Sequence, residues 1–150
     1  GMNVMDGYYN NPEASNTVLS PDGWLHTGDL GVLDPDGYLY IKGRSKSLIL
    51  GPSGQNIYPE EIEDLLNAQP YIAESLVIER EGKLVALVYP DAEAMKQNKI
   101  SRETLLKIIH ETRKQINQQL PAYSQIARIE IHDEEFEKTP KRSIKRFLYQ

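Results

Sequence analysis

Two apolar runs separated by a two-residue turn constrain this chain more than any other feature. Residues 73–79 and 83–89 carry aliphatic side chains at consecutive positions (Leu76, Val77, Ile78; Leu84, Val85, Ala86, Leu87, Val88), with Glu81-Gly82 between them. Successive side chains of a strand point to opposite faces, so a run without alternation predicts a sheet covered on both sides. Gly82 adopts positive φ without steric penalty, which suits a tight hairpin. The neighbouring segments have to supply the cover.

The helices that can do so are readable. Pro59 sits where a first helical position tolerates a missing N–H, and Glu60, Glu61, Glu63 and Asp64 load the N-terminal turns with the charge a helix dipole favours. Ile62, Leu65 and Leu66 make the stripe that faces a core. Ser101 reads as the N-cap of a longer helix, on which Leu105, Ile108, Ile109, Thr112 and Ile116 recur at helical spacing up to Leu120-Pro121. The polar stretch 91–99 has room for one helical turn. Residues 126–131 alternate and predict a third strand. The fold class expected for residues 47–150 is α+β: a short mixed sheet with flanking helices.

Residues 1–46 have a different texture. Pro21-Asp22-Gly23, Asp34-Pro35-Asp36-Gly37 and Asn10-Asn11-Pro12 are turn chemistry, with short strands expected at 30–33 and 38–42. This is β-meander material, too small to bury a core of its own. It is expected to be part of something larger, with a boundary near Lys46.

Composition excludes several function classes. Of 150 residues, 39% are hydrophobic, yet no run approaches the roughly 20 apolar residues of a transmembrane helix. The opening residues lack the basic and apolar regions of a secretory leader. A net charge of -5 argues against nucleic acid as a partner. With no cysteine, disulfides, thiolate metal sites and thiol nucleophiles are excluded. His26, His110 and His132 show no ligand spacing, so no metal site is expected, and His110 reads as packed or surface-lying.

Chemistry concentrates in four segments, each open to a plainer reading. In Trp24-Leu25-His26-Thr27-Gly28-Asp29 the carboxylate of Asp29 is able to accept hydrogen bonds from two adjacent hydroxyls, such as a ribose diol, though on local chemistry alone an ordinary turn aspartate is the favoured reading. In Gly43-Arg44-Ser45-Lys46-Ser47 the Arg44 guanidinium suits phosphate, or the segment is a solvated basic turn. The loop 51–57 lines a tunnel or is a connector, and the acidic turn after it speaks against phosphate there. Residues 138–146 hold five cations and no acid. They are a solvated charge run, or they present a lysine to a developing negative charge.

The order of these segments is more specific than any one of them. Asn3-Val4-Met5-Asp6-Gly7-Tyr8-Tyr9, then Asp22-Gly23-Trp24-Leu25-His26-Thr27-Gly28-Asp29, then Asp36-Gly37-Tyr38-Leu39-Tyr40-Ile41-Lys42-Gly43-Arg44-Ser45-Lys46, then Gly54-Gln55-Asn56-Ile57-Tyr58-Pro59-Glu60-Glu61-Ile62-Glu63 resembles the C-terminal portion of the adenylate-forming superfamily. The last run looks most like AMP-forming long-chain fatty acid–CoA ligases. The resemblance implies that residues 1–46 are the end of a large N-terminal adenylation domain plus hinge, and residues 47–150 a C-terminal lid. It implies ATP, Mg2+ and CoA as cofactors and a fatty acid as substrate, in a cytoplasmic enzyme at most peripheral to a membrane surface. It implies that Asp29 holds the ribose hydroxyls, that Arg44 contacts the nucleotide, that Lys46 is the hinge, and that Gly54, Gln55 and Asn56 line a pantetheine tunnel.

One position departs from the pattern: Ser143 stands where the family has its adenylation lysine, with Lys141 and Lys145 two residues to either side. In an extended backbone Lys141, Ser143 and Lys145 share a face, and either lysine would take over the role. An enzyme that loads an acyl carrier protein, or a lid-like domain that only binds a partner, fits the same residues. The isolated chain, lacking an acyl pocket and phosphate loop, is expected to be inactive.

Overall fold

The computed structural model describes residues 1–150, which form two compact units, Gly1–Lys46 and Ser47–Gln150. No helix is long and apolar enough to cross a membrane.

The first unit is built around one antiparallel ribbon. Helix α1 (Pro12–Val18) precedes it, with Asn11 Oδ1 accepting from the Ala14 N–H at 3.0 Å and Pro12 at the first position. The segment Asn10-Asn11-Pro12, read from sequence only as a turn, is therefore a helix start. Strands β1 (Asp29–Leu33) and β2 (Leu39–Arg44) pair from Leu33↔Leu39 to Asp29↔Arg44, with a bulge between Leu30 and Gly31. The Asp34 carboxylate makes the connecting turn by accepting from the N–H groups of Asp36 and Tyr38 at 3.0 and 2.8 Å. No residue of this unit is buried, and Trp24, Tyr38, Leu39, Tyr40 and Ile41 are exposed. The expectation that this stretch closes no core of its own is met.

The second unit is a small α+β domain. A 3-10 turn, Ser45–Ser47, leads into the two-residue strands β3 (Ile49–Leu50) and β4 (Asn56–Ile57), which pair antiparallel. The loop 51–57, open to a reading as a plain connector, is thus the turn and second strand of a small hairpin. Helix α2 (Pro59–Asn67) follows, then β5 (Ile72–Arg80) and β6 (Lys83–Pro90), then helices α3 (Ala92–Gln97) and α4 (Arg102–Gln119), then β7 (Ile126–Ile131). The sheet order is β5-β6-β7, antiparallel then parallel. The α4 crossover makes the parallel pairing possible. Glu81 and Gly82 both take positive φ, 53° and 72°, as the two central residues of a primed hairpin turn do.

Both faces of the sheet are covered, by different material. Ile62 and Leu66 of α2 and Leu105, Ile109 and Ile116 of α4 pack on Val77, Leu84, Ala86 and Val88. The opposite residues, Leu76, Ile78, Val85 and Leu87, pack on Phe136, flanked by Tyr89, Ile144 and Tyr149. The second cover is the C-terminal segment, whose charge masks its packing role in the sequence.

Candidate functional site

In the first unit, the register of the ribbon sets Asp29 opposite Arg44. The Arg44 guanidinium donates to the Asp29 carboxylate and, at 3.0 Å, to the carbonyl of Thr27. The Thr27 hydroxyl accepts from the Asp29 N–H at 3.1 Å. Gly28 takes a φ of 75°, which lets the chain turn sharply into β1. Arg44, and after it Thr27, hold the Asp29 carboxyl below its ordinary 3.8. Both side chains stay open, at 60% exposure for Arg44 and 35% for Asp29. The pair offers a fixed anion with acceptor capacity to spare next to a cation with donors to spare, a combination suited to a polyhydroxyl, phosphorylated ligand. Sequence reading singled out both residues but not their mutual contact. Lys46 lies exposed in the 3-10 turn where the first unit ends.

The β3–β4 hairpin borders a cleft of about 540 Å³ in the second unit, lined also by Glu79, Lys83, Tyr123 and Gln125. Gln55 lines it. Gly54 takes a φ of 79° in the turn, and Asn56 is exposed on β4 opposite Leu50; neither borders the cleft. Gly51 packs closely here: a Cβ there would lie 3.0 Å from Gln55 Oε1, so the Gln55 side chain would have to shift.

The basic tail differs most from its sequence reading. Residues 138–144 are not extended. An isolated bridge, Lys138↔Ile144, closes a hairpin in which the Thr139 N–H donates to the Ser143 carbonyl and the Arg142 N–H to the Thr139 carbonyl, each at 2.8 Å. Arg142 stands at φ 60°. The alternation that would put Lys141, Ser143 and Lys145 on one face is therefore absent, because a turn rotates successive side chains apart. Lys145 lies outside the tip and pairs with Glu137 at 3.0 Å, while its N–H donates to the Glu137 carbonyl at 2.8 Å. Lys141, Arg142 and Ser143 are exposed in the tip, and neither Lys141 nor Arg142 makes an ion pair.

The remaining cations of the tail are anchored. Lys138 pairs with Glu74 of β5 and, at 2.5 Å, with Glu135; Glu135 and then Glu74 hold its ammonium above the ordinary 10.5. Arg146 bonds Glu63 of α2 at 2.5 Å and the Val77 carbonyl at 3.2 Å, and Glu60 lies 3.7 Å away. The other Glu63 oxygen accepts from the Val77 N–H at 2.6 Å. Burial raises the Glu63 carboxyl above its ordinary 4.5, while Arg146 and the Val77 N–H pull the other way. Glu63, read from sequence as a dipole charge, is thus a buried anchor. Its position one residue after Ile62 and three before Leu66, on the apolar face of α2, was the available signal.

His110 is exposed on α4. No group of three or more His, Cys, Asp or Glu side chains is placed to hold a metal ion.

The family described as AMP-binding enzyme C-terminal domain matches residues 46–149. Indoleacetate–CoA ligase of Aromatoleum aromaticum is 49% identical over 92 residues, 59% of this chain and 18% of that protein. A 2-succinylbenzoate–CoA ligase of Bacillus cereus is 40% identical over 111 residues, 74% of this chain and 22% of its own. Among solved structures, o-succinylbenzoate CoA synthetase of Bacillus subtilis, in complex with its acyl-adenylate intermediate, superposes with a TM-score of 0.71 at 30% identity, over all of this chain and 29% of that one. The chain spans about a fifth of the length of these curated relatives.

Proposed function

Because the chain belongs to the family of AMP-binding enzyme C-terminal domains, we propose that it is the C-terminal portion of an AMP-forming acid–CoA ligase. In this reading Gly1–Lys46 is the end of the large adenylation domain, Ser47–Gln150 the lid, and Lys46 the hinge about which the lid turns between half-reactions. The first half-reaction joins a carboxylate to the α-phosphate of Mg2+-bound ATP and releases pyrophosphate. In the second, the CoA thiol attacks the acyl carbonyl and AMP leaves. Mg2+ is carried in by the ATP phosphates, and Gln55 with its neighbours Gly54 and Asn56 faces the pantetheine arm.

The observation that carries this reading is the Asp29–Arg44 pair, whose lowered carboxyl and open guanidinium match a ribose diol beside a phosphate. Of the two exposed cations of the hairpin tip, Lys141 and Arg142, Lys141 is our choice for the charge that meets the carboxylate and α-phosphate. Ser143 has no charge to offer, and Lys145 is committed to Glu137. Within the acids open to such a ligase, we take the substrate to be a long-chain fatty acid. The support is the spelling Gly54-Gln55-Asn56-Ile57-Tyr58-Pro59-Glu60-Glu61, set against relatives named for indoleacetate and succinylbenzoate. A cytoplasmic location goes with this reading.

ATP–pyrophosphate exchange by the full-length protein, supplied in turn with palmitate, indoleacetate and succinylbenzoate, tests both levels. Exchange with palmitate followed by CoA-dependent release of AMP is expected. Exchange with aryl acids alone overturns the substrate class, and exchange with none overturns the ligase reading. The 150-residue chain on its own is expected to stay at background.

A further inference from the structure

We propose that Arg146 is a positioning residue for acyl-adenylate formation, acting through the hairpin tip that carries Lys141. This rests on the ligase reading above. Strand β5 is at the edge of the sheet, and Val77 turns both its N–H and its carbonyl outward. The two groups are taken by Glu63 and Arg146, which also bond each other, so that strand, helix α2 and tail close into one ring of hydrogen bonds. Arg146 is 19% exposed and Glu63 11%. Eight residues before Arg146, Lys138 pins the other arm of the hairpin to Glu74 on the same strand. The arms are further joined by the two Lys145–Glu137 contacts and by the Tyr149 hydroxyl, which accepts from the Glu137 N–H at 2.8 Å.

Between these anchors only the tip is free. Lys141 has four rotatable methylenes and no partner, so its reach is set by where the backbone of the tip points. The guanidinium fork of Arg146 bonds a carboxylate and a carbonyl at once, and a lysine at the same place has a single nitrogen with which to do so. Arg146→Lys therefore keeps the charge and loses the bracing.

The test uses full-length ligase and measures acyl-adenylate formation and transfer of preformed acyl-adenylate to CoA separately, for Arg146→Lys and Arg146→Gln, each with and without Lys141→Ala. Both Arg146 variants are expected to slow adenylate formation by roughly ten- to a hundredfold, the scale of an ångström-sized misplacement, with transfer to CoA within about twofold. In the Lys141→Ala background the Arg146 effect is expected to vanish, because a residue that acts through another cannot be counted twice. Equal loss in both half-reactions, or full additivity with Lys141→Ala, makes Arg146 a structural residue only and overturns the proposal. If Arg146→Gln fails to fold, Arg146→Lys decides the matter by the same two criteria. Wild-type protein that forms no acyl-adenylate from any acid overturns the ligase reading itself, a result separate from an unaltered Arg146 variant.

Discussion

Two carboxylate–guanidinium pairs, one in each unit, look alike on paper and differ in their surroundings. Asp29–Arg44 and Glu63–Arg146 each join an acid to an arginine that also donates to a backbone carbonyl, Thr27 in one case and Val77 in the other. The first pair lies open on a two-stranded ribbon, with side chains 60% and 35% exposed; the second is 19% and 11% exposed beneath a helix. Water screens the first, so it adds little to stability and leaves its atoms free for a ligand. The second has lost its water, so its desolvation offsets much of its attraction, and what it contributes is geometry. An ion pair's exposure therefore indicates whether it is there to bind or to hold.

The largest effect expected from this contrast is on stability. Arg146→Met strands Glu63 in the interior and should destabilise the 150-residue chain by about 3 kcal/mol in urea unfolding, whereas Arg44→Met should leave the unfolding midpoint nearly where it was. Equal losses would erase the distinction. Next comes ligand binding in the full-length protein. Asp29→Asn keeps the shape and removes the charge, so the KM for ATP should rise by roughly tenfold or more, the worth of a hydrogen bond to a charged acceptor. Its unfolding midpoint should move far less than that of Arg146→Met.

A smaller effect, readable as a slope, separates the pairs by pH. The Glu63 carboxyl is held above 4.5 by burial. A raised carboxyl pKa favours the folded state below the ordinary value, and the advantage fades as pH rises through the folded one. The wild-type chain should therefore lose stability relative to Glu63→Gln as pH climbs upward from 4.5. Asp29 has the opposite sign: its lowered pKa means its contribution is present above 3.8 and lost as pH falls further. Differential scanning fluorimetry from about pH 3 to 8 on both Gln and Asn variants checks the two signs together. The smallest effect is local. Arg142 occupies a left-handed conformation at φ 60°, so Arg142→Gly should stabilise by about 0.5 kcal/mol in the same urea experiment.

The same contrast explains what the sequence disclosed. The sheet, the α4 stripe and the Glu81-Gly82 turn are written in local patterns of hydrophobicity and backbone freedom, and all were legible. Asp29 and Arg44 were legible because exposed functional groups sit in turn-rich, motif-like segments. Their contact was not, since it depends on a strand register shifted by the bulge at Leu30 and Gly31. The tail misled for a related reason. Counting charges gives a solvated run, and only the fold reveals that Glu74, Glu63 and the edge of β5 await Lys138 and Arg146. Arg142 also hid a turn, because a residue that is not glycine gives no warning of positive φ.

The second cover of the sheet has a consequence for biosynthesis. Leu76, Ile78, Val85 and Leu87 are shielded by Phe136, Ile144 and Tyr149, which emerge from the ribosome after every strand they protect. At about 5–20 residues per second, the nascent domain holds one oily sheet face bare for several seconds after its hairpin is made. Folding of this unit is thus completed from its far end, and any ribosome that stalls before residue 136 leaves behind a ready substrate for chaperones.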